Sequence, residues 1–304
     1  MIPLYCLSMR SPERSEKIRR PEGCRVALRV YNEGARHTVI LSGGLGTGGD
    51  GDALWRHLID DLGADHRVVT WDYRGHGGSD EADGPGAYTA PALASDLAAV
   101  QDHVGAERAG HVGFGVGAVV ALEHHRWAKE RVAALVLIQG GLSLSEGRLP
   151  WADALRRRLM AEATSRGALQ LASRGGRTPL APMVYGAALR LGFVGRTCSA
   201  SDFGALVASS SGHSARARRE IARELARHRT DEVLSEVRVP TLVFGATRDA
   251  QVPESLMRQV HESLHNSEYV PLPGATHSCL LDQGPVIAAR IRRFFEERRQ
   301  QRPW

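Results

Sequence analysis

The chain alternates between two hydrophobic periods, and that alternation limits the folds open to it. Short β-branched runs, TVILS (38–42), RVVTW (67–71) and AALVLIQ (133–139), end in turn residues, as buried strands do. Between them lie stretches with apolar residues three and four apart. DGDALWRHLIDDLG carries Leu54, Trp55, Leu58 and Leu62 at helical spacing, and APALASDLAAVQDHVG repeats the pattern. The strand GHVGF leads into the helix GAVVALEHHRWAKE, and PTLVFGA, SEYVPLP and GPVIAARIRRFFEERR close the chain as strand, strand and helix. RVALRVYN (25–32) alternates like a half-exposed edge strand. Strands separated by helices of this length predict a mostly parallel sheet with helices on both faces.

From Gly141 to Glu236 the strand signal stops. PWADALRRRLMAEATSRGALQLAS, APMVYGAALRLGF, SDFGALVASSS and SARARREIARELARHR read as short amphipathic helices. The expected organisation is an α/β core over 25–140 and 237–304, a helical insertion over 141–236 after the sixth strand, and a partly flexible leader over 1–24.

Composition narrows the function classes. An apolar share of 42% and a charged share of 24% are those of a soluble globular protein. No apolar run reaches the roughly 18 residues of a membrane span, and the first residues are too interrupted for a secretion signal. Of 39 basic residues only Lys17 and Lys129 are lysine, and the net charge is +5. The basic runs RARREIARELARHR and RIRRFFEERRQQR alternate with acids and apolar residues, which makes them solvated helix faces and not a nucleic-acid surface. Cys6, Cys24, Cys198 and Cys279 are widely spaced, which argues against a zinc site or disulfide framework and fits a reducing cytoplasm. The glycines of GGLGTGG lack a Lys-Ser/Thr partner and an acidic ribose reader, so no nucleotide, flavin or metal cofactor is expected. The expected partner is a small-molecule substrate, with neither nucleic acid nor membrane.

Five places in register resemble the α/β-hydrolase fold superfamily, in its capped small-molecule form. LSGGLGTGG (41–49) looks like the loop after the third strand, and DYRGHGGSD (72–80) is similar to the family's D-x-R-G-x-G-x-S segment. GFGVGA sits at the G-x-S-x-G elbow, GATRDAQVP (245–253) resembles the loop carrying the acid, and GATHSCL (274–280) the loop carrying the histidine. The resemblance covers the chain from Arg25 onward, and the order elbow, acid, histidine is the family's own. It implies Asp249 and His277 as the acid and base, with backbone amides of Gly44 and Val116 as an oxyanion hole and Phe114 as a lining residue. It also implies that Gly113 and Gly117 serve the close strand–helix approach of the elbow.

At the apex the chain departs from the family: Gly115 stands where a serine is usual. Glycine accepts the positive φ of an elbow at little steric cost but brings no hydroxyl, so no acyl-serine can form there. Ser42 could reach the site, although fixing the oxyanion loop is its commoner use. Ser278 and Cys279 are poorly placed against their neighbour's imidazole. Asp50 and Asp52 read as N-cap and first-turn acids of the next helix, with a site role held open. His111, His124 and His125 read as structural. Three functions remain open. One is an enzyme using a His277–Asp249 dyad as general base on a moderately apolar small molecule, for non-covalent hydrolysis or lyase, cyclase or decarboxylase chemistry. Another is a serine esterase, lactonase or thioesterase with a Ser→Gly change at position 115. The last is a non-catalytic ligand binder.

Overall fold

The computed structural model describes residues 10–48, 52–142, 181–190, 194–209, 213–249 and 251–301. Eight strands form one sheet: β1 (Arg14–Arg19), β2 (Arg25–Tyr31), β3 (Thr38–Ser42), β4 (Arg67–Trp71), β5 (Ala109–Phe114), β6 (Val132–Ile138), β7 (Thr241–Ala246) and β8 (Ser267–Leu272). Their order is β1-β2-β4-β3-β5-β6-β7-β8. The pairs β1/β2 and β2/β4 are antiparallel, and every other neighbouring pair is parallel. The expected architecture is thus observed.

The helices are α1 (Arg56–Leu62), α2 (Ala90–His103), α3 (Val116–Trp127), α4 (Ala181–Arg190), α5 (Ala200–Ser209), α6 (Ala215–Leu225), α7 (Asp231–Glu236), α8 (Glu254–Ser263), α9 (Cys279–Asp282) and α10 (Gly284–Gln301). One face of the sheet is covered by α1 and α10, through Leu58, Ile59 and Leu62 against Ile287, Ile291, Phe294 and Phe295. The other face carries α2, through Leu93 and Leu97, and further along α8, through Leu256, Met257 and Val260. β5 and β6 are buried along their whole length, which accounts for their unbroken apolar character.

Two sequence expectations are corrected at the N-terminal edge. Residues 14–19, assigned to a leader, form β1, whose only buried residue is Ile18. With a single apolar residue, RSEKIR gives no alternation from which a strand could be read. β2 is consequently interior and not an edge, and Val26 to Tyr31 are all buried. Residues 181–190, 200–209 and 215–225 are helices as expected, while PWADALRRRLMAEATSRGALQLAS lies outside the described residues.

The DYRGHGGSD segment proves to be a brace. Arg74, 1% exposed, sends Nε and Nη2 to Asp96 on α2 at 2.6 and 2.8 Å, and Arg20 adds Nε to the same carboxylate at 2.8 Å. Asp72 accepts from Arg29 Nη2 at 2.9 Å and from the Gly78 amide at 2.8 Å. Ser79 Oγ donates to Asp72 O and accepts from the Ala27 amide, which ties the turn back to β2. The segment that marks the family in sequence therefore locks β2, β4 and α2 together. Asp96→Ala would take from the buried Arg74 its two shortest bonds, leaving it Ala87 O at 3.2 Å and Glu22 at 3.3 Å, and is expected to destabilise the fold by about 3–5 kcal/mol. Equilibrium urea unfolding checks this; a loss below 1 kcal/mol would show that the brace carries no such weight.

Candidate active site

The site begins where β5 turns into α3. Gly115, at φ 56° and ψ −113°, forms the apex, and its amide donates to Ile138 O at 2.9 Å. The flanking glycines are sterically required, as expected. A Cβ at Gly117 would lie 1.9 Å from Ser42 O, and one at Gly113 would lie 2.4 Å from Gly117 O. Position 115 differs. A Cβ there would meet nothing nearer than Gly44 Cα at 3.7 Å and Gln139 O at 4.0 Å, which is ordinary contact. Its positive φ, and not crowding, is what favours glycine at the apex.

The loop after β3 lies alongside. The Gly44 carbonyl accepts from Thr47 N at 3.2 Å and Thr47 Oγ1 at 2.9 Å, and the Gly43 carbonyl accepts from Tyr73 Oη at 2.7 Å. With both carbonyls engaged, the peptide planes of this loop are fixed beside the apex. Val116 opens α3, so its amide is one of the helix's first donors, which have no intrahelical acceptor. Phe114 sits between loop and base: its ring edge would be 3.0 Å from a Cβ at Gly44, and its centroid is 5.2 Å from that of His277.

His277 Nδ1 lies 2.7 Å from Asp249 Oδ2. The imidazole is only part-buried, with 22% of its side chain exposed, whereas the Asp249 side chain is fully enclosed. Asp249 is saturated with donors: Oδ1 accepts the amides of Gln251 at 2.6 Å and Val252 at 2.9 Å, and Oδ2 accepts a short bond from Gln139 Nε2 besides that of His277. Burial alone would lower the pKa of His277, but the charge of Asp249 and its hydrogen bond outweigh it and hold the imidazole above the ordinary value.

Gln139 was missed in the sequence. It caps β6 at φ 48°, fully buried; its Oε1 accepts the Ala246 amide at 2.8 Å while Nε2 reaches Asp249. The available signal was a lone polar residue ending an otherwise apolar strand; its left-handed φ, which side-chain-bearing residues seldom adopt, is visible only in the structure.

The other candidates are placed as follows. Ser42 is fully buried, and its Oγ accepts Trp71 Nε1 at 3.0 Å, which fits the loop-fixing use. The helix-capping expectation for Asp52 is corrected: α1 starts only at Arg56, and its N-cap is Trp55, without a side-chain bond. The Asp52 carboxylate turns inward instead, accepting from Tyr31 Oη at 2.8 Å and from Thr70 Oγ1, with Arg29 at 3.6 Å. Asp50 lies outside the described residues. Cys279 is completely buried, and burial raises its thiol pKa well above the usual value, so it supplies no thiolate. His111, His124 and His125 are buried behind the sheet; His124 binds Gln101 Oε1 at 2.9 Å, and burial, with Arg131 and His125, depresses it to about 4. Among the described residues no group of three or more His, Cys, Asp or Glu is arranged to hold a metal, and no helix is long and apolar enough to cross a membrane.

A family model described as the alpha/beta hydrolase fold matches residues 37–283. The candidate carbamate hydrolase RutD of Azorhizobium caulinodans is 37% identical over 107 residues, covering 35% of this chain and 38% of its own length. The chain therefore spans little more than a third of that relative. The candidate carbamate hydrolase RutD of Rhizobium rhizogenes is 24% identical over 273 residues, covering 87% of this chain and 95% of its own. Among solved structures, a hydrolase from Pseudomonas aeruginosa PA01 superposes with a TM-score of 0.73 at 21% identity, covering 93% and 98% of the two chains. At that identity the likeness shows the fold alone.

The raised pKa of His277 has a direct readout. An NMR titration of its imidazole is expected to place the midpoint above about 6.5, the ordinary histidine value. Asp249→Asn is expected to bring it below that value, because burial would then act unopposed. A midpoint unmoved by Asp249→Asn would break the electrostatic link between the two residues.

Proposed function

Because this chain belongs to the alpha/beta hydrolase fold family, we propose that it is a small-molecule enzyme working without a nucleophile at its elbow, with His277 as general base. The observation that carries this reading is the 2.7 Å contact between His277 Nδ1 and an Asp249 carboxylate already oriented by three other donors. With Nδ1 donating to Asp249, Nε2 keeps the lone pair and can accept a proton. In hydrolysis, Nε2 takes a proton from water as the water oxygen bonds to the substrate carbonyl carbon. The Gly44 and Val116 amides stabilise the resulting oxyanion, and the imidazolium returns its proton to the leaving group. The same base and amides serve elimination, cyclisation or decarboxylation when the proton comes from the substrate itself. The relatives named for carbamate hydrolysis support a carbonyl substrate.

The residues around the dyad suit a moderately apolar ligand of the kind made in secondary metabolism. The Phe114 ring lies tilted against that of His277, centroids 5.2 Å apart, and this reading takes the helices between β6 and β7 as a cap. No resident cofactor is required.

A second reading has its own support. Position 115 has room for a Cβ, so a serine there would fit by packing, and a Ser→Gly change in an esterase, lactonase or thioesterase would give this sequence.

Two substitutions separate the readings. His277→Ala is expected to lower turnover of the true substrate by about 10²–10⁴-fold, measured by product formation under saturating substrate. Unchanged turnover would remove His277 from the chemistry. Gly115→Ser, assayed on an activated ester, is expected to give no burst of acyl-enzyme if the base-only reading holds. A burst followed by steady turnover would establish the second reading instead.

A further inference from the structure

Beside the dyad, on the seam between the inserted helices and the core, lies a cavity of about 170 Å³. Its outer wall is Arg190, at the end of α4, together with Gly195 and Arg196 in the stretch before α5. Its core wall is Arg248 and Thr276. Those two core residues immediately precede Asp249 and His277, and the loops are pinned to one another by the Arg248 amide donating to Ala275 O at 2.9 Å.

Three arginines therefore line one small concavity, and no carboxylate lines it among the described residues. Elsewhere several arginines are paired with acids. Arg292 meets Asp61, Asp65 and Glu296, Arg290 and Arg298 share Glu268, and Arg56 meets Asp202. Arg190, Arg196 and Arg248 make no ion pair or side-chain hydrogen bond among the described residues. Asp282, which bonds two of the lining residues, is committed to the floor. Its Oδ1 accepts the Gly195 amide at 2.8 Å, and its Oδ2 accepts the Thr276 amide at 2.9 Å and Thr276 Oγ1 at 2.7 Å. Those bonds shape the cavity wall and occupy the Asp282 carboxylate on both oxygens.

We propose that this cavity is a binding site for a single oxyanion group, phosphate or carboxylate, clamped between the inserted helices and the two loops that carry the dyad. Size and chemistry agree on the class. Sites for whole drug-sized ligands run to about 300–1,000 Å³, so this volume suits one compact anionic group. Guanidinium forks bind carboxylate and phosphate oxygens through paired donors. Bound there, it would join Arg190 and Arg196 on one side to Arg248 on the other, one residue from Asp249. The group can arrive as a free inorganic ion or as the anionic end of a larger molecule. The assignment is independent of the reaction the dyad performs.

The test titrates the full chain with inorganic phosphate and, separately, with phenylphosphonate, at constant ionic strength set by chloride. Calorimetry measures affinity, and the thermal midpoint in phosphate-free buffer checks folding. Because all three arginines are exposed, Arg196→Gln, Arg248→Gln and the double variant are expected to fold as the wild type does. Saturable phosphate binding, weakened at least tenfold in the double variant, together with an upward move of the His277 imidazole midpoint on binding, supports a site for the free ion. Binding of phenylphosphonate alone, with the same dependence on Arg196 and Arg248, supports a site for an anion carried by a larger molecule. Binding of neither, or binding that the variants leave unchanged, overturns the proposal.

Discussion

The close approach of α3 to β3 is the constraint on which the site depends. Helix and strand meet so tightly at Gly117 and Ser42 O that no side chain can stand between them. That contact fixes where α3 begins, and so where the apex and the Val116 amide are held. Ser42 and Gly43 are held in turn from behind, by Trp71 and Tyr73 from the end of β4 and the residues after it. The loop beside the apex thus inherits its position from backbone packing and two buried aromatic donors.

Asp249 plays the matching part on the other side. A carboxylate taken from water needs its lone pairs satisfied, and this one meets donors from three sources: the turn that follows it, Gln139 at the end of β6, and His277 after β8. Three strand ends converge on a single anion. The histidine is consequently oriented by the sheet itself, which is the rigid part of the fold, and its charge state follows from the same contact.

What could be read in the sequence divides along the line between local and tertiary causes. The buried parallel strands were legible because each is an unbroken apolar run, and Asp249 and His277 were legible because their loops carry recognisable neighbours. β1 was not, since Arg14 to Arg19 is stabilised by pairing with β2 and by ion pairs such as Arg14 to Glu16 and Glu33, which leave no periodic signal. Asp52 was misread for a related reason. Its position before a helix suggested a cap, but a positive φ of 38° turns the carboxylate toward Tyr31, Thr70 and Arg29, which are distant in sequence. Gln139 belongs to the same class, because its two partners come from β7 and the loop beyond it.

The apex has a thermodynamic side. A residue with a Cβ, held in the backbone conformation of Gly115, would store strain of roughly 1–3 kcal/mol, and glycine adopts that conformation without it. Glycine also widens the conformational freedom of the unfolded chain, which opposes this gain by somewhat under 1 kcal/mol. On balance the native turn sits lower in energy than a side-chain-bearing one would. A turn with glycine at its apex thereby holds this shape without stored strain.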